Sequence, residues 1–181
     1  MTSEIKKILY ATDLSPNSAY ALGFALDSAN RYHAEIVLLH VFDSPTIGYA
    51  PILDAYMDEK HRQSLFHEHA EDIKDRIRKR LEMISSQEIN KNPGYGKLLS
   101  SIEVCEGYPA ETILTTADDL NCDMIIMGTH GKGILGNTFL GSTAKRVLRR
   151  TRKPIFIIPL PKGELDITLQ DNYAVWISSA N

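Results

Sequence analysis

Short, nearly continuous apolar runs alternate with segments of helical periodicity along most of the chain. The runs are KILYAT (7–12), EIVLLHVF (35–42), LLSSIEVCEG (98–107), CDMIIM (122–127) and PIFIIPL (154–160). Runs of this kind are typical of strands buried on both faces, and such strands form parallel sheets flanked by helices. We therefore predict a β-α-β-α-β-α-β-α-β chain that folds as an open α/β sheet with right-handed crossovers. The third run is the least apolar, which favours a place nearer an edge.

The segments between the runs carry apolar residues at intervals of three and four. Ser15 is a suitable N-cap for the first helix, and Pro16 suits its first position. An unpatterned loop is expected at 43–57, followed by a long amphipathic helix at about 58–84. Residues 85–97 are turn-rich and predict a linker. Further helices are predicted at 108–121 and 142–151.

A glycine-rich segment, residues 128–141, links the fourth run to the last helix. A strand end that leads into a helix start is where open α/β sheets bind ligands. Glycine lets a ligand approach bare main-chain amides, and a helix N-terminus adds unpaired N–H groups and about half a positive charge. Ser142 is a natural N-cap for that helix. The segment therefore predicts a phosphate site. The alternative is a flexible surface loop, which would more often carry proline and polar residues.

Two common phosphate motifs do not fit this segment. No part of the chain supplies the G-x-x-x-x-G-K-S/T pattern of a P-loop. Gly131, Gly133 and Gly136 match G-x-G-x-x-G, but they begin several residues after the strand. The next run also lacks an acid at its end for a ribose diol, so we exclude a dinucleotide site.

A different spacing fits the whole segment. Gly128, Gly131, Gly141 and Ser142 form the pattern G-x2-G-x9-G-S/T. This pattern closely resembles the ATP-binding branch of the universal stress protein family. The start KKILYATDLSPNSAYAL, the run LLHV and the closing RTRKPIFIIP resemble the same family. Together these segments extend the resemblance over most of residues 6–159.

The resemblance implies a Rossmann-like, adenine nucleotide alpha hydrolase-like fold. Its sheet is open, doubly wound, five-stranded and parallel, of strand order 3-2-1-4-5, with helices on both faces. Residues 1–161 would form this domain. Residues 162–181 would form a C-terminal tail, whose YAVWI segment (173–177) could add an edge strand, cover an exposed patch or take part in a dimer.

The same resemblance implies which residues hold a nucleotide. The strand order would place Asp13 and Gly128 at one crevice, with Asp13 accepting hydrogen bonds on the ribose–adenine side. Val41 would offer its backbone to the adenine edge. The remaining expected contacts are Ala11 and Thr12 beside Asp13, Met127 and Gly128 at the ribose, and His130, Gly131, Lys132, Gly141, Ser142 and Thr143 at the phosphates. Alternatively, Asp13 only caps the first helix, and His130 and Lys132 are ordinary surface residues.

Three functions are compatible with such a site. The first is an ATP-binding sensor or regulatory protein in the stress response. The second is a slow ATP hydrolase or nucleotidyl-transfer enzyme, and the third is a dimeric scaffold whose pocket is usually empty. Fast phosphoryl transfer needs a metal-holding carboxylate, and residues 128–152 contain no acid, so we expect a binding protein and not an enzyme. The expected ligand is ATP, with AMP or ADP as alternatives, and Mg²⁺ or Mn²⁺ could accompany it.

Charge and hydropathy narrow the range of partners. The net charge of −3 gives no general attraction to nucleic acid, and the basic residues at 145–153 offset a helix dipole. No apolar run approaches the roughly 20 residues that a membrane span needs. The N-terminal run is too short for a signal peptide, so a cytoplasmic location is expected. The apolar fifth strand is expected to pair with a second copy in a homodimer, as family members commonly do, unless YAVWI covers that edge.

Overall fold

A computed structural model describes residues 4–42, 58–129 and 140–159 of the chain. The predicted loop at 43–57 and the tail at 162–181 lie outside this range. The elements, numbered in chain order, are β1 (Lys7–Thr12), α1 (Pro16–Tyr32), β2 (Glu35–Phe42), α2 (Glu59–Lys91), a 3₁₀ helix (Pro93–Lys97), β3 (Leu99–Glu106), α3 (Pro109–Asp119), β4 (Met124–Gly128), α4 (Ser142–Arg150) and β5 (Ile155–Ile158).

The five strands form one parallel sheet of order β3-β2-β1-β4-β5. This confirms the predicted strand order and the edge position of the third strand. β1 is central, and its Ala11 is the register partner of Leu39 on β2 and of Met127 on β4. Asp123 ties the amino ends of β1 and β4 together, because its Oδ2 accepts from the backbone N–H groups of Lys6 (2.8 Å) and Lys7 (2.9 Å).

Helices cover both faces of the sheet, as predicted. On one face, Leu22 and Leu26 of α1 pack against the alternate β1 residues Ile8 and Tyr10. On the other face, α3 and α4 pack in a second cluster around Leu9. α2 lies over the edge formed by β3, in a third cluster. β1 is buried on both sides because both of its alternating sets of side chains are apolar, which is why the sequence run is continuous.

The second helix is longer than predicted. α2 continues to Lys91, so most of the predicted linker at 85–97 is helical, and only Pro93–Lys97 forms a tight 3₁₀ turn. Two serines that usually disfavour helix interiors are accommodated, because the hydroxyls of Ser85 and Ser86 donate to the carbonyl of Glu82. Tertiary contact also helps, since Ser85 is only 3% exposed.

Among the helices that the structure describes, none has both the length and the apolar character required of a membrane span.

Candidate functional site

The carboxyl ends of β1 and β4 lie side by side and form a crevice. The chain leaves β1 for a helix on one face and leaves β4 for a helix on the other face. This reversal is the topological switch point at which open α/β sheets bind ligands. Register pairs Ala11 with Met127, so Thr12 and Gly128, the last residues of the two strands, meet at this edge. Residues far apart in sequence therefore form the two walls of one crevice.

The turn from β1 to α1 is held by short hydrogen bonds. Leu14 has φ of +62°, in the left-handed region, and its N–H donates to Thr12 Oγ1 at 3.1 Å. Asp13 Oδ1 accepts from the N–H of Ser15 at 3.2 Å and from its hydroxyl at 2.7 Å. One carboxylate oxygen of Asp13 thus serves the entry to α1, in line with the alternative that Asp13 has a capping role.

The second carboxylate oxygen of Asp13 has no such role. Oδ2 is buried and has no hydrogen-bond partner among the described residues. Leaving a buried polar atom unpaired costs about 1–3 kcal/mol, and more for a charged group. Native proteins keep few such groups, and a functional role is one of the reasons for an exception. Asp13, next to the end of β1, therefore holds a buried acceptor that is unused among the described residues.

One residue that was not predicted to belong to the site contacts the β1 side of the crevice. His40 lies on β2 opposite Thr12, is only 5% exposed, and its Nδ1 lies 2.8 Å from the carbonyl oxygen of Thr12. The signal for it was present in the sequence, because it is the single histidine within the otherwise apolar core of EIVLLHVF. Val41 follows it at the carboxyl end of β2 and packs with the cluster beneath α3 and α4.

The opposite wall is formed by the end of β4 and the start of α4. Thr129 is 6% exposed, and its N–H donates to the carbonyl of Ile158 at 3.1 Å. Its own carbonyl accepts from the N–H of Gly141 at 2.8 Å. The first bond holds the end of β4 against the end of β5. The second bond holds the end of β4 against the start of α4, so the N-terminus of α4 lies beside the crevice.

The N-cap of α4 is Gly141, and the prediction that Ser142 is the cap was wrong. Gly141 has φ −63° and ψ 159°, and its carbonyl accepts the first helical hydrogen bond from Lys145 at 2.9 Å. Ser142 is the first helical residue and is exposed. Glycine has no side chain with which to cap, and no acidic residue occupies the first turn. Among the residues that the structure describes, no side chain caps the first N–H groups of α4.

A model of the universal stress protein family matches residues 4–159. The chain belongs to the universal stress protein family. This confirms the resemblance found in the glycine spacing and the strand runs. Universal stress protein MJ0531 of Methanocaldococcus jannaschii is 31% identical over 160 residues, covering 88% of this chain and 85% of its own length. Universal stress protein MJ0577 of the same organism is 28% identical over 164 residues, covering 87% of this chain and 97% of its own length.

Solved structures support the same family fold. The structure of MJ0577 superposes with a TM-score of 0.66 at 26% identity, and the match covers 89% of this chain and 100% of the MJ0577 chain. The universal stress protein UspA of Lactobacillus plantarum superposes with a TM-score of 0.61 at 22% identity, covering 87% and 99% of the two chains. The chain is thus a universal stress protein with a Rossmann-like α/β fold over nearly the full length of its relatives.

In this universal stress protein, the structure brings most of the expected site residues to the crevice edge. Those on the strand side are Ala11, Thr12, Asp13, Val41, Met127 and Gly128, and those at the helix start are Gly141, Ser142 and Thr143. His130, Gly131 and Lys132 lie outside the described residues. The assignment of each residue to a part of a nucleotide stays a prediction.

A separate cavity of about 410 Å³ lies between α3 and residues 150–153, which lead into β5. Its rim carries two ion pairs, Arg150 with Glu111 and Lys153 with Asp118 (3.1 Å). The N–H of Glu111 itself, and then Arg150, lower the pKa of the Glu111 carboxyl. Two of the three bases that line the cavity are thus paired with its two acids, and the third, Arg152, has no ion pair among the described residues. None of the lining residues carries a buried polar atom without a partner, as Asp13 does.

Proposed function

We propose that this protein binds ATP in the crevice between β1 and β4 and acts as a nucleotide-binding sensor or regulatory protein in the stress response. The observation that carries the proposal is the buried Asp13 Oδ2, which has no donor among the described residues. A ribose hydroxyl is a donor of suitable size for such an acceptor. Val41, near the end of the neighbouring strand, would offer backbone groups to an adenine edge.

The opposite wall suits the charged end of the same ligand. The N-cap of α4, Gly141, has no side chain that could cap the first N–H groups, and the first turn has no acidic residue. A helix N-terminus favours negative charge. Gly141 adopts φ −63°, which any residue tolerates, so backbone conformation does not require glycine there. The absence of a side chain instead gives a phosphate access to the main chain. By the family pattern, His130, Gly131 and Lys132 would add further phosphate contacts.

The composition of the phosphate side favours binding over turnover. Residues 128–152 contain no Asp or Glu, so a Mg²⁺ or Mn²⁺ ion would be held mainly by the phosphates and water. Fast phosphoryl transfer needs a carboxylate for the metal and a group that orients the nucleophile. Slow hydrolysis of ATP is the second candidate function, and it would leave the same crevice as the binding site.

Titration calorimetry with ATP, ADP and AMP, beside an ATP hydrolysis assay, tests the proposal. We expect saturable ATP binding with little turnover, and loss of binding in Gly141→Val. Gly23→Ala is the control, because Gly23 lies inside α1 and a Cβ there meets nothing closer than Glu88 Oε2 at 3.8 Å. If the parent protein binds no adenine nucleotide, the proposal is wrong. If Gly141→Val binds as tightly as the parent, the phosphate side is wrongly assigned.

We also propose that two copies pair through β5. This strand is at the sheet edge, all four of its residues are at least partly exposed, and Phe156 is 39% exposed. At the opposite edge, Arg78 of α2 donates to the carbonyl of Ile102 at 3.0 Å, which obstructs strand addition there. Light scattering of the eluted protein should give a dimer, and Phe156→Lys should give a monomer. Phe24→Lys, at a 45% exposed aromatic on α1, should stay dimeric.

A further inference from the structure

We infer that His40 is a positioning residue that orients Asp13 toward the ligand and so determines selectivity for ribose hydroxyls. The inference rests on the proposed function, since it concerns the same crevice. The inference goes beyond the proposed function because it assigns a role to a side chain on β2 that would not itself touch the ligand. The geometry that carries it is the contact of 2.8 Å between His40 Nδ1 and the carbonyl oxygen of Thr12.

The direction of this hydrogen bond is fixed by chemistry. A carbonyl oxygen can only accept, so Nδ1 of His40 carries the hydrogen and donates it. His40 is 5% exposed, and water does not readily replace such a donor. The contact joins positions 28 apart in sequence, whereas the bonds that Thr12 Oγ1 and Asp13 Oδ1 accept in the β1–α1 turn join residues only two apart. His40 therefore anchors the turn to the sheet, and the local bonds only shape the turn.

Anchoring the carbonyl of Thr12 acts directly on Asp13. The carbonyl of Thr12 and the N–H of Asp13 belong to one planar peptide unit. A donor that holds the oxygen fixes the orientation of this plane, and with it the direction in which the Asp13 side chain leaves the backbone. The next residue, Leu14, is held at φ +62°, a conformation that needs support from its surroundings. Without the donor, the plane can rotate, and Oδ2 loses its fixed direction.

Substitution of His40 separates positioning from packing. Asn places its amide N–H₂ near the position of Nδ1 and retains a donor, whereas Leu fills the space without one. Gln places its donor one bond farther out, near the position of Nε2. For each variant, the Kd values of 2′-deoxy-ATP and of 3′-deoxy-ATP are each divided by the Kd of ATP, and these two ratios are compared with those of the parent. Thermal unfolding of each variant is measured as well. If His40 only fills space, its substitution should weaken the binding of all three nucleotides by the same factor.

We expect the parent to prefer ATP over at least one deoxy-nucleotide by about tenfold or more, because a hydrogen bond to a charged group is lost. His40→Leu should reduce this ratio to below about threefold, and His40→Asn should retain it. If His40→Leu does not fold, His40→Gln takes its place and should lose the ratio that His40→Asn keeps. His33→Asn, at an exposed histidine with φ 55° that asparagine tolerates, is the control and should match the parent.

Each other result overturns a specific statement. An unchanged ratio in His40→Leu, or equal loss in the Asn and Leu variants, refutes the positioning role while the proposed function stands. A parent that binds ATP without preferring either hydroxyl refutes the ribose role of Asp13, and the inference fails with it. A parent that binds no nucleotide refutes the proposed function itself.

Discussion

Replacing Asp13 by asparagine separates its two roles in the turn. Asparagine has nearly the same shape, and its side-chain oxygen can keep both contacts that Oδ1 accepts from Ser15, at 3.2 and 2.7 Å. Its N–H₂ group then occupies the place of Oδ2, the buried atom that has no partner among the described residues. Asp13→Asn therefore converts the unused acceptor into a donor and leaves the entry to α1 intact.

The two effects have different signs and sizes. A ribose hydroxyl would lose a charge-assisted hydrogen bond worth about 1.5–3 kcal/mol, and the affinity for ATP would fall about 10- to 100-fold. The unligated protein should not be destabilised, because a buried neutral amide is less costly than a buried carboxylate oxygen without a donor. A gain of about 1 kcal/mol in the free energy of unfolding would raise Tm by roughly 2–4 °C in a chain of this size.

Calorimetric titration with ATP and thermal unfolding without ligand measure these effects separately. Asp13→Ala is the matched comparison, because it removes the Ser15 contacts as well and should be less stable than Asp13→Asn by about 1 kcal/mol. The reasoning is refuted if Asp13→Asn binds ATP like the parent. It is also refuted if Asp13→Asn lowers Tm as much as Asp13→Ala does, since Asp13 would then serve the turn alone.

Three further predictions concern stability. Gly107→Ala should lower the free energy of unfolding in urea by about 1–3 kcal/mol, because Gly107 has φ +145° and a Cβ there would lie 2.7 Å from Thr112 Oγ1. An unchanged urea midpoint would contradict this. Asp123→Ala should cost about 1 kcal/mol in the same assay, because two backbone N–H groups lose their acceptor, and equal stability would show that water replaces it. Burial raises the pKa of the Cys122 thiol to about 11, so the unfolded chain loses this proton first and the unfolding free energy should fall between about pH 9 and 11. Cys122→Ala should fall less steeply over that window, and parallel curves would contradict the assignment.

Strand bounds could be predicted closely because each apolar run ends at a charged or turn-forming residue. β1 and β2 begin and end where the sequence predicted. The end of α2 could not be predicted in this way, because Ser85 and Ser86 favour non-helical conformations in isolation. Their hydroxyls are satisfied only once the helix exists and packs, and a local pattern does not contain that information.

The candidate site was harder to predict from the sequence than the fold. Spacing alone cannot show which parallel strands are neighbours, so the placement of Asp13 beside Gly128 required the family resemblance. The one-residue shift of the α4 cap from Ser142 to Gly141 depends on backbone angles that composition does not determine. His40 escaped notice because a single polar residue in an apolar run indicates burial, and its partner is a main-chain atom on another strand.

The two walls of the crevice belong to different parts of the core, and this bears on what a ligand could do. In the described core, α1 packs in one cluster and α4 in another, on opposite faces of the sheet. Asp13 precedes α1, and Gly141 precedes α4. A nucleotide held by an acceptor on the first wall and by main-chain donors on the second would connect the two faces at the point where the chain reverses direction. Its binding would stabilise the relative placement of both helices, because a ligand stabilises only the state that binds it. Under the proposed function, such a coupling would last only while the nucleotide stays bound, as expected of a signalling or stabilising ligand.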